Sequence, residues 1–263
     1  GYKVAKNGGD TRVVITLEIP EDALTNMGRS TIRVKDTAKY RTNKAIVVKI
    51  EDQKGNEYTS AKSFVHKDKS LTYTLGETLI IEDYDSDIEK VCSSGIHFFL
   101  NKHVAEVYEL NKNDIENGLY QLWYDNGEKH IECIFKDKKL DGFYLACYEN
   151  GQKAVECTYK DGEKDGFNQV WHENGQKSLE CTYKDGIRVG FSQSWHENGQ
   201  KCEECAYKDW KIDGFYQSWY DNGQKSSECT YKYGIIDGLY RSWHENGQKW
   251  VECTYKDGEK VNN

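Results

Sequence analysis

Nine cysteines, seven histidines and a recurring glutamate are the side chains of this 263-residue chain that could do chemistry. Cys133, Cys157, Cys181, Cys205, Cys229 and Cys253 stand 24 residues apart, a regular set that invites a metal or disulfide reading. Cys202 and Cys205 form a C-x-x-C, the spacing of a redox pair. His172, His196 and His244 keep the same period, as do Glu132, Glu156, Glu180, Glu204, Glu228 and Glu252. Nearer the N terminus, Cys92, His97 and His103 could offer two or three metal ligands or a Cys/His pair. Asp83, Asp85, Asp87 and Glu89 imitate the opening of a calcium loop.

What these residues can do depends on the elements that hold them, and the period defines those elements. Gly118, Gly142, Gly166, Gly190, Gly214 and Gly238 open six units of 24 residues without an insertion. Counting each glycine as position 1, position 2 is Leu or Phe and position 6 is Trp except at Cys147. Asn-Gly stands at positions 9 and 10, Cys at 16, and Phe135 followed by five tyrosines at 18. Each unit reads as strand, turn, strand, turn, and (Asp/Glu)-Asn-Gly is a strong hairpin signal. A two-residue loop would set positions 2, 4 and 6 beside 13, 15 and 17, burying an invariant Glu against the Trp. A three-residue loop with a left-handed Gly in a G1 bulge pairs position 7 with 11. It sets the Leu/Phe of position 2 and the Trp of position 6 beside positions 14, 16 and 18, and is the expected register. The opposite face would then carry Tyr or His at 7, Glu at 15 and mostly Thr at 17.

This geometry decides most of the candidate chemistry. Two strands per unit advance the sheet by roughly 10 Å. Equivalent cysteines are then too far apart for a disulfide or a shared zinc. Cys202 and Cys205, three apart on a strand, face opposite sides. The six thiols are read as small packing groups beside aromatics, and position-7 histidines at the same spacing share no ion. The calcium imitation has Ile88 where the sharp-turn Gly belongs and Ser94 where the bidentate Glu belongs. His97 lies inside the apolar run IHFF, where a satisfied core histidine is the usual explanation. No catalytic residues, no metal site and no cofactor are expected, because nothing sets an acid, a base and a nucleophile together.

The net charge of −8 and pI near 5.5 argue against nucleic acid or an anionic membrane as the main partner. No run approaches the roughly 20 apolar residues of a membrane span. The mean hydropathy of −0.88 alone would suggest disorder, but 19 Tyr and 7 Trp do not fit a disordered chain. Residues 1–112 hold no repeat. Strands are expected over Arg12–Ile19, Ala45–Glu51, Leu71–Leu75, Glu77–Ile81 and Ile96–Phe99, and an Asn-capped helix over Asn101–Leu110. The fold expected is mainly β. A small α+β domain over 1–112 precedes an elongated single-layer array of six antiparallel β-hairpin repeats over 118–261.

The unit GFYQSWYDNGQKSSECTYKYGIID resembles a MORN-type repeat, in the variant found in YwqK-like antitoxins and giant-virus proteins. The recurrent Cys at position 16 departs from that pattern. The stretch ETLIIEDYDSDIEKVCSSGIHFFLNKHVAEVY is similar to an uncharacterised GIHFF-type domain of giant-virus and phage proteins. These resemblances imply a non-enzymatic scaffold or protein-interaction protein of viral origin. A toxin-neutralising binding protein is the alternative they imply, and a phosphoinositide-associated module the third. The partner is expected to be another protein or a second copy docking through an open strand edge. The expected docking face carries Tyr124, Tyr148, His172, His196, Tyr220 and His244 with the six glutamates. Unpaired thiols favour a reducing location: host cytoplasm, nucleus or virion interior.

Overall fold

A computed structural model describes residues 1–9, 11–63, 70–108 and 115–261. Two compact units divide the chain: Gly1–Asp114 with Gln121–His130, and Ile115–Tyr120 with Ile131–Asn263.

The first unit holds an eight-stranded sheet. Its strands are β1 (Tyr2–Lys6), β2 (Arg12–Glu18), β3 (Lys39–Thr42), β4 (Lys44–Glu51), β5 (Ser60–Lys62), β6 (Thr72–Thr74), β7 (Thr78–Ile80) and β8 (Ile96–Phe99). They run in the order β3-β8-β1-β2-β4-β7, with β5 pairing β1 and β6. Val13, Ile15, Leu17, Ala45, Val47, Ile50, Tyr40, Tyr73, Ile96 and Phe98 form the core. A bulge between Thr16 and Leu17 adjusts the β2–β4 register. The short helix α1 (Lys102–Val107) is capped by the Asn101 side chain, which accepts from the amides of His103 and Val104. The expected helix ran on to Leu110, and Glu109 and Leu110 lie outside the described residues. Strands β1, β3 and β5 lacked a clear alternation in the sequence.

The first Asn-Gly turn folds within this unit. Arg33 and Val34 donate their amides to Asn126 O at 2.9 and 3.1 Å, and Lys39 N donates to Asp125 O. A Cβ on Gly127 would lie 2.0 Å from Val34 O, so only glycine fits, quite apart from its φ of +92°.

The second unit is one antiparallel sheet whose 14 strands run from β9 (Gly118–Trp123) to β22 (Glu259–Val261). Each Asn-Gly loop is the expected three-residue G1 turn. The second repeat shows it: Tyr148 N donates to Gln152 O and Gly151 N to Tyr148 O, with Gly151 at φ +85°. The second turn of each unit is different, a two-residue reversal with both central residues left-handed, as at Asp161 (φ +51°) and Gly162 (φ +92°).

The strand register departs from the expected one at a second bulge. Cys147 pairs with Lys153, but Ala146 pairs with Val155, so Ala154 at position 13 is an extra residue. From there Tyr144 faces Cys157 and Phe143 faces Thr158. The same shift recurs in repeats three to six. One extra residue returns every side chain beyond it to the other face. The apolar residue of position 2 and the Trp of position 6 therefore share a face with the Lys of position 12, the Glu of position 15 and position 17. The Cys of position 16 and the Tyr of position 18 share the opposite face with positions 3, 5 and 14. The expectation that Cys and Tyr would line the Trp face is corrected by this bulge.

Candidate functional site: the two faces of the repeat sheet

On the phenylalanine face, the glutamates do not stand alone. The bulge at position 13 puts positions 12 and 15 on one side, so each Glu meets a lysine of its own repeat. Lys177–Glu180, Lys201–Glu204, Lys225–Glu228 and Lys249–Glu252 approach at 2.5–2.7 Å, and Lys153–Glu156 pairs likewise. Position 4 adds a second donor: Gln169, Gln193 and Gln217 reach Glu180, Glu204 and Glu228, while Arg241 bridges Glu228 and Glu252. The hydrogen bond from Lys225, with others from Arg241 and Gln217, holds the Glu228 carboxyl down at about 2. The lysines in turn sit 5.2–5.8 Å over the Trp of the next repeat, in Lys153–Trp171, Lys177–Trp195, Lys201–Trp219 and Lys225–Trp243. From the second repeat on, the glutamate strip is thus charge-matched in place. Glu132 occupies the equivalent position on β10 (Lys129–Lys136) of the first repeat.

Position 7 has a structural partner. Tyr148 and Tyr220 donate to the carbonyls of Trp171 and Trp243 at 2.7 and 2.8 Å, and His172 and His196 meet Trp195 O and Trp219 O at 2.9 Å. Tyr OH and His Nε2–H put a donor at the same point, which explains why the two residue types interchange. A carbonyl partner fixes the proton on Nε2. In the first repeat Tyr124 stacks on His130, and in the last His244 lies 5.5 Å from Trp250. The invariant Asn at position 9 makes a parallel link. Asn150, Asn174, Asn198 and Asn222 donate to the position-8 carbonyl of the following repeat at 2.5–2.8 Å. Each Oδ1 also accepts from the amide two residues on, an Asx turn.

On the tyrosine face, Cys133, Cys157, Cys181, Cys205 and Cys229 are buried between aromatic rings. Tyr120–Phe135, Tyr144–Tyr159, Tyr216–Tyr231 and Tyr240–Tyr255 meet edge to face at 5.6–6.0 Å around them. Burial pushes the thiols of Cys133, Cys205 and Cys229 up to about 11. These are inert packing groups.

The N-terminal candidates each engage separate partners. His97 Nε2 meets Val91 O at 2.9 Å, and burial, followed by the charges of Lys39 and Lys3, lowers it to about 4. His103 reaches Gln121 and packs edge-on against Trp123. Cys92 lies 3.8 Å from Lys39 Nζ and 3.9 Å from Asp125 Oδ2. The acidic loop is built around Arg41, a residue that no sequence motif singles out. Its buried guanidinium donates to the carbonyls of Asp85, Asp87, Lys90 and Ser94 and stacks on Tyr84 at 4.6 Å. The carboxylates turn to local donors instead: Asp83 to Ser94, Asp85 to Ser93 and Lys90, and Glu89 to Ser30.

No curated protein matches the chain. Residues 1–105 match a family of unknown function (DUF5758). Residues 147–161, 213–233 and 236–257 match the MORN repeat variant, stretches that fall on hairpins of the second unit. MORN repeats are generally interaction modules for proteins or membranes and are not catalytic. The chain thus carries stretches of the MORN repeat variant in its second unit and, over residues 1–105, a segment similar to a family of unknown function.

Proposed function

We propose that the protein is a non-enzymatic scaffold that docks a protein partner along the phenylalanine face of its repeats. One observation carries this reading. Leu119, Phe167, Phe191, Phe215 and Leu239 at position 2 are 41–58% exposed, in register, beside charges already matched within the sheet. The tyrosine face buries its apolar groups, whereas this row is left to solvent. A periodic apolar row among neutralised charges rewards a shape-matched protein surface and offers little to a polyanion. A second copy of the chain would present the same period and is one such surface. The ladder of reduced thiols suits a reducing compartment, and we place the protein inside a host cell or virion interior. The viral origin rests on the resemblance of the repeat unit and of the GIHFF-type segment to giant-virus and phage proteins.

The test is cross-linking mass spectrometry in the native cell or particle, comparing the parent with a Phe167→Ser/Phe191→Ser/Phe215→Ser variant. Those rings are largely exposed, so the variant is expected to keep its circular dichroism and lose its partner cross-links. An unchanged set of cross-links from a folded variant would sink the reading.

A further inference from the structure

Position 23 lies on the tyrosine face, between the position-18 rings of successive repeats. It is Leu140, Ile212 and Ile236 in three repeats, each followed four residues later by a tyrosine (Tyr144, Tyr216 and Tyr240), and Lys260 in the sixth, where no such residue follows in the sequence. Two repeats break the pattern in both places at once. Lys164 precedes Asn168, and Arg188 precedes Ser192. Asn168 and Ser192 are 1% and 3% exposed, so small buried groups stand where a phenol stands elsewhere. The cations move onto the rings that remain. Lys164 sits 5.2 Å over Tyr183, and Arg188 lies 5.9 Å from Tyr183 and 5.1 Å from Tyr207. Lys164 Nζ also donates to Asn168 Oδ1 at 2.7 Å, and Arg188 to Tyr207 OH at 3.5 Å.

Neither cation has a carboxylate partner among the described residues, although the chain has a net charge of −8 and most lysines of the opposite face hold a Glu. Glu203, the one acid at position 14, stands on this face but receives the Tyr216 hydroxyl at 3.1 Å. The strands bearing Lys164 and Arg188 flank the strand bearing Tyr183, which pairs with Gly166 on one side and Arg188 on the other. The two charges are therefore about one repeat, roughly 10 Å, apart with a ring between them. That separation is too wide for a single tetrahedral oxyanion to bridge. It suits two carboxylates.

We propose that Lys164 and Arg188, with the rings of Tyr183 and Tyr207, form a docking site for an acidic protein segment carrying two carboxylates about 10 Å apart. The site rests on the reading of the repeats as a docking array but lies on the face opposite the exposed phenylalanines. Each carboxylate would meet a half-buried, aromatic-backed cation, where a charge-assisted bond is stronger than in open water.

The test is fluorescence anisotropy of the full chain with a fluorescein-labelled hexaglutamate peptide at low salt. Binding is expected, and Lys164→Gln/Arg188→Gln is expected to weaken it by about tenfold or more. Lys208→Gln/Lys232→Gln, which removes the same charge elsewhere, is expected to leave it within about twofold. Lys164→Leu/Asn168→Tyr/Arg188→Ile/Ser192→Tyr restores the pattern of the neighbouring repeats, so it should fold and still lose the peptide. A carbodiimide cross-link between Lys164 and the peptide would place it. Failure of the parent chain to bind, or equal binding by the folded variants, overturns the proposal. So does tighter binding of inorganic phosphate or phosphatidylserine vesicles than of hexaglutamate. If hexaglutamate fails while the Phe167/Phe191/Phe215 variant still loses its partner, this site falls and the scaffold reading stands.

Discussion

The position-7 link between repeats gives a sharp test of whether those tyrosines and histidines work for the fold. Tyr220→Phe keeps the ring and removes only the donor to Trp243 O, a 2.8 Å bond at a half-buried site. One such bond contributes a net stabilisation of about 1 kcal/mol. Tyr220→His should cost much less, because His172 and His196 already make the same bond through Nε2. His244, in the sixth repeat, meets no Trp carbonyl among the described residues, so His244→Phe serves as the reference and is expected to be near neutral. Urea unfolding followed by tryptophan fluorescence reads all three on one footing. A repeat array does not promise a single transition, so the midpoint of the cooperative step is the quantity compared. A Tyr220→Phe midpoint equal to the parent's would refute the structural role of position 7. An equal loss in His244→Phe and Tyr220→Phe would refute it as well.

Three further outcomes follow from the same geometry. Glu228 is lowered to about 2 and Glu180, Glu204 and Glu252 are lowered too, so their contribution is fully present above the ordinary carboxylate value of 4.5 and is lost as pH falls toward 2. Urea midpoints should be level from neutral pH to about 5 and drop below it, less steeply in Glu228→Gln; a level profile down to pH 3 would contradict this. Gly127→Ala should cost more than Gly190→Ala, because Gly127 has φ +92° and its Cβ would lie 2.0 Å from the backbone carbonyl Val34 O, which cannot swing aside, whereas Gly190 at φ +68° has nothing within 4 Å. The backbone share is about 1–2 kcal/mol in both, and equal thermal midpoints would remove the contact from the account. In alkylation by iodoacetamide at pH 8, Cys92 and Cys202 should react well before Cys133, Cys205 and Cys229. The last three are raised from 9.0 to about 11, leaving roughly a hundredfold less thiolate even before access is counted. Mass mapping that shows uniform labelling of the folded chain would refute the packing role.

The period is fully legible because every unit repeats without insertion, and the Asn-Gly loop is legible because its G1 geometry demands a left-handed glycine. The register is not. Choosing between two loops assumes one bulge per hairpin and treats a Glu beside a Trp as an error to avoid. Position 13, which varies from Ala154 to Cys202, carries no sign that it will be squeezed out of the ladder. Once it is, the position-12 lysine arrives beside the position-15 glutamate and the contact with Trp becomes favourable. A lysine three residues before a glutamate is the available clue, but on a regular strand those positions face opposite sides. The cysteine packing is legible from spacing alone. Arg41 is not, because a single buried arginine in the strand KYRT has no local pattern to mark what it will gather.

The repeats also show where function can reside. The Asn of position 9 links to the next repeat, and position 7 does the same in four repeats. The Lys of position 12 and the Glu of position 15 neutralise one another, the Gly of position 10 admits the neighbouring Gln, and the Cys of position 16 fills space beneath the rings. Invariance within the repeat is therefore largely accounted for by stacking one hairpin on the next, and the residues most repeated are the least informative about a partner. What stacking leaves over is of two kinds. Position 2 repeats faithfully yet stays exposed in five of six repeats, Phe143 alone being half-buried, so packing within the sheet does not account for its recurrence. Position 23 is a cation again at Lys260 in the sixth repeat, but only Lys164 with Asn168 and Arg188 with Ser192 couple that change to the loss of the phenol at position 3, where the hairpin needs neither change. A stacking requirement would act on all six repeats alike. A paired departure in two neighbours, replacing apolar and aromatic groups by charges that have no counter-ion among the described residues, is what a local binding requirement would leave behind.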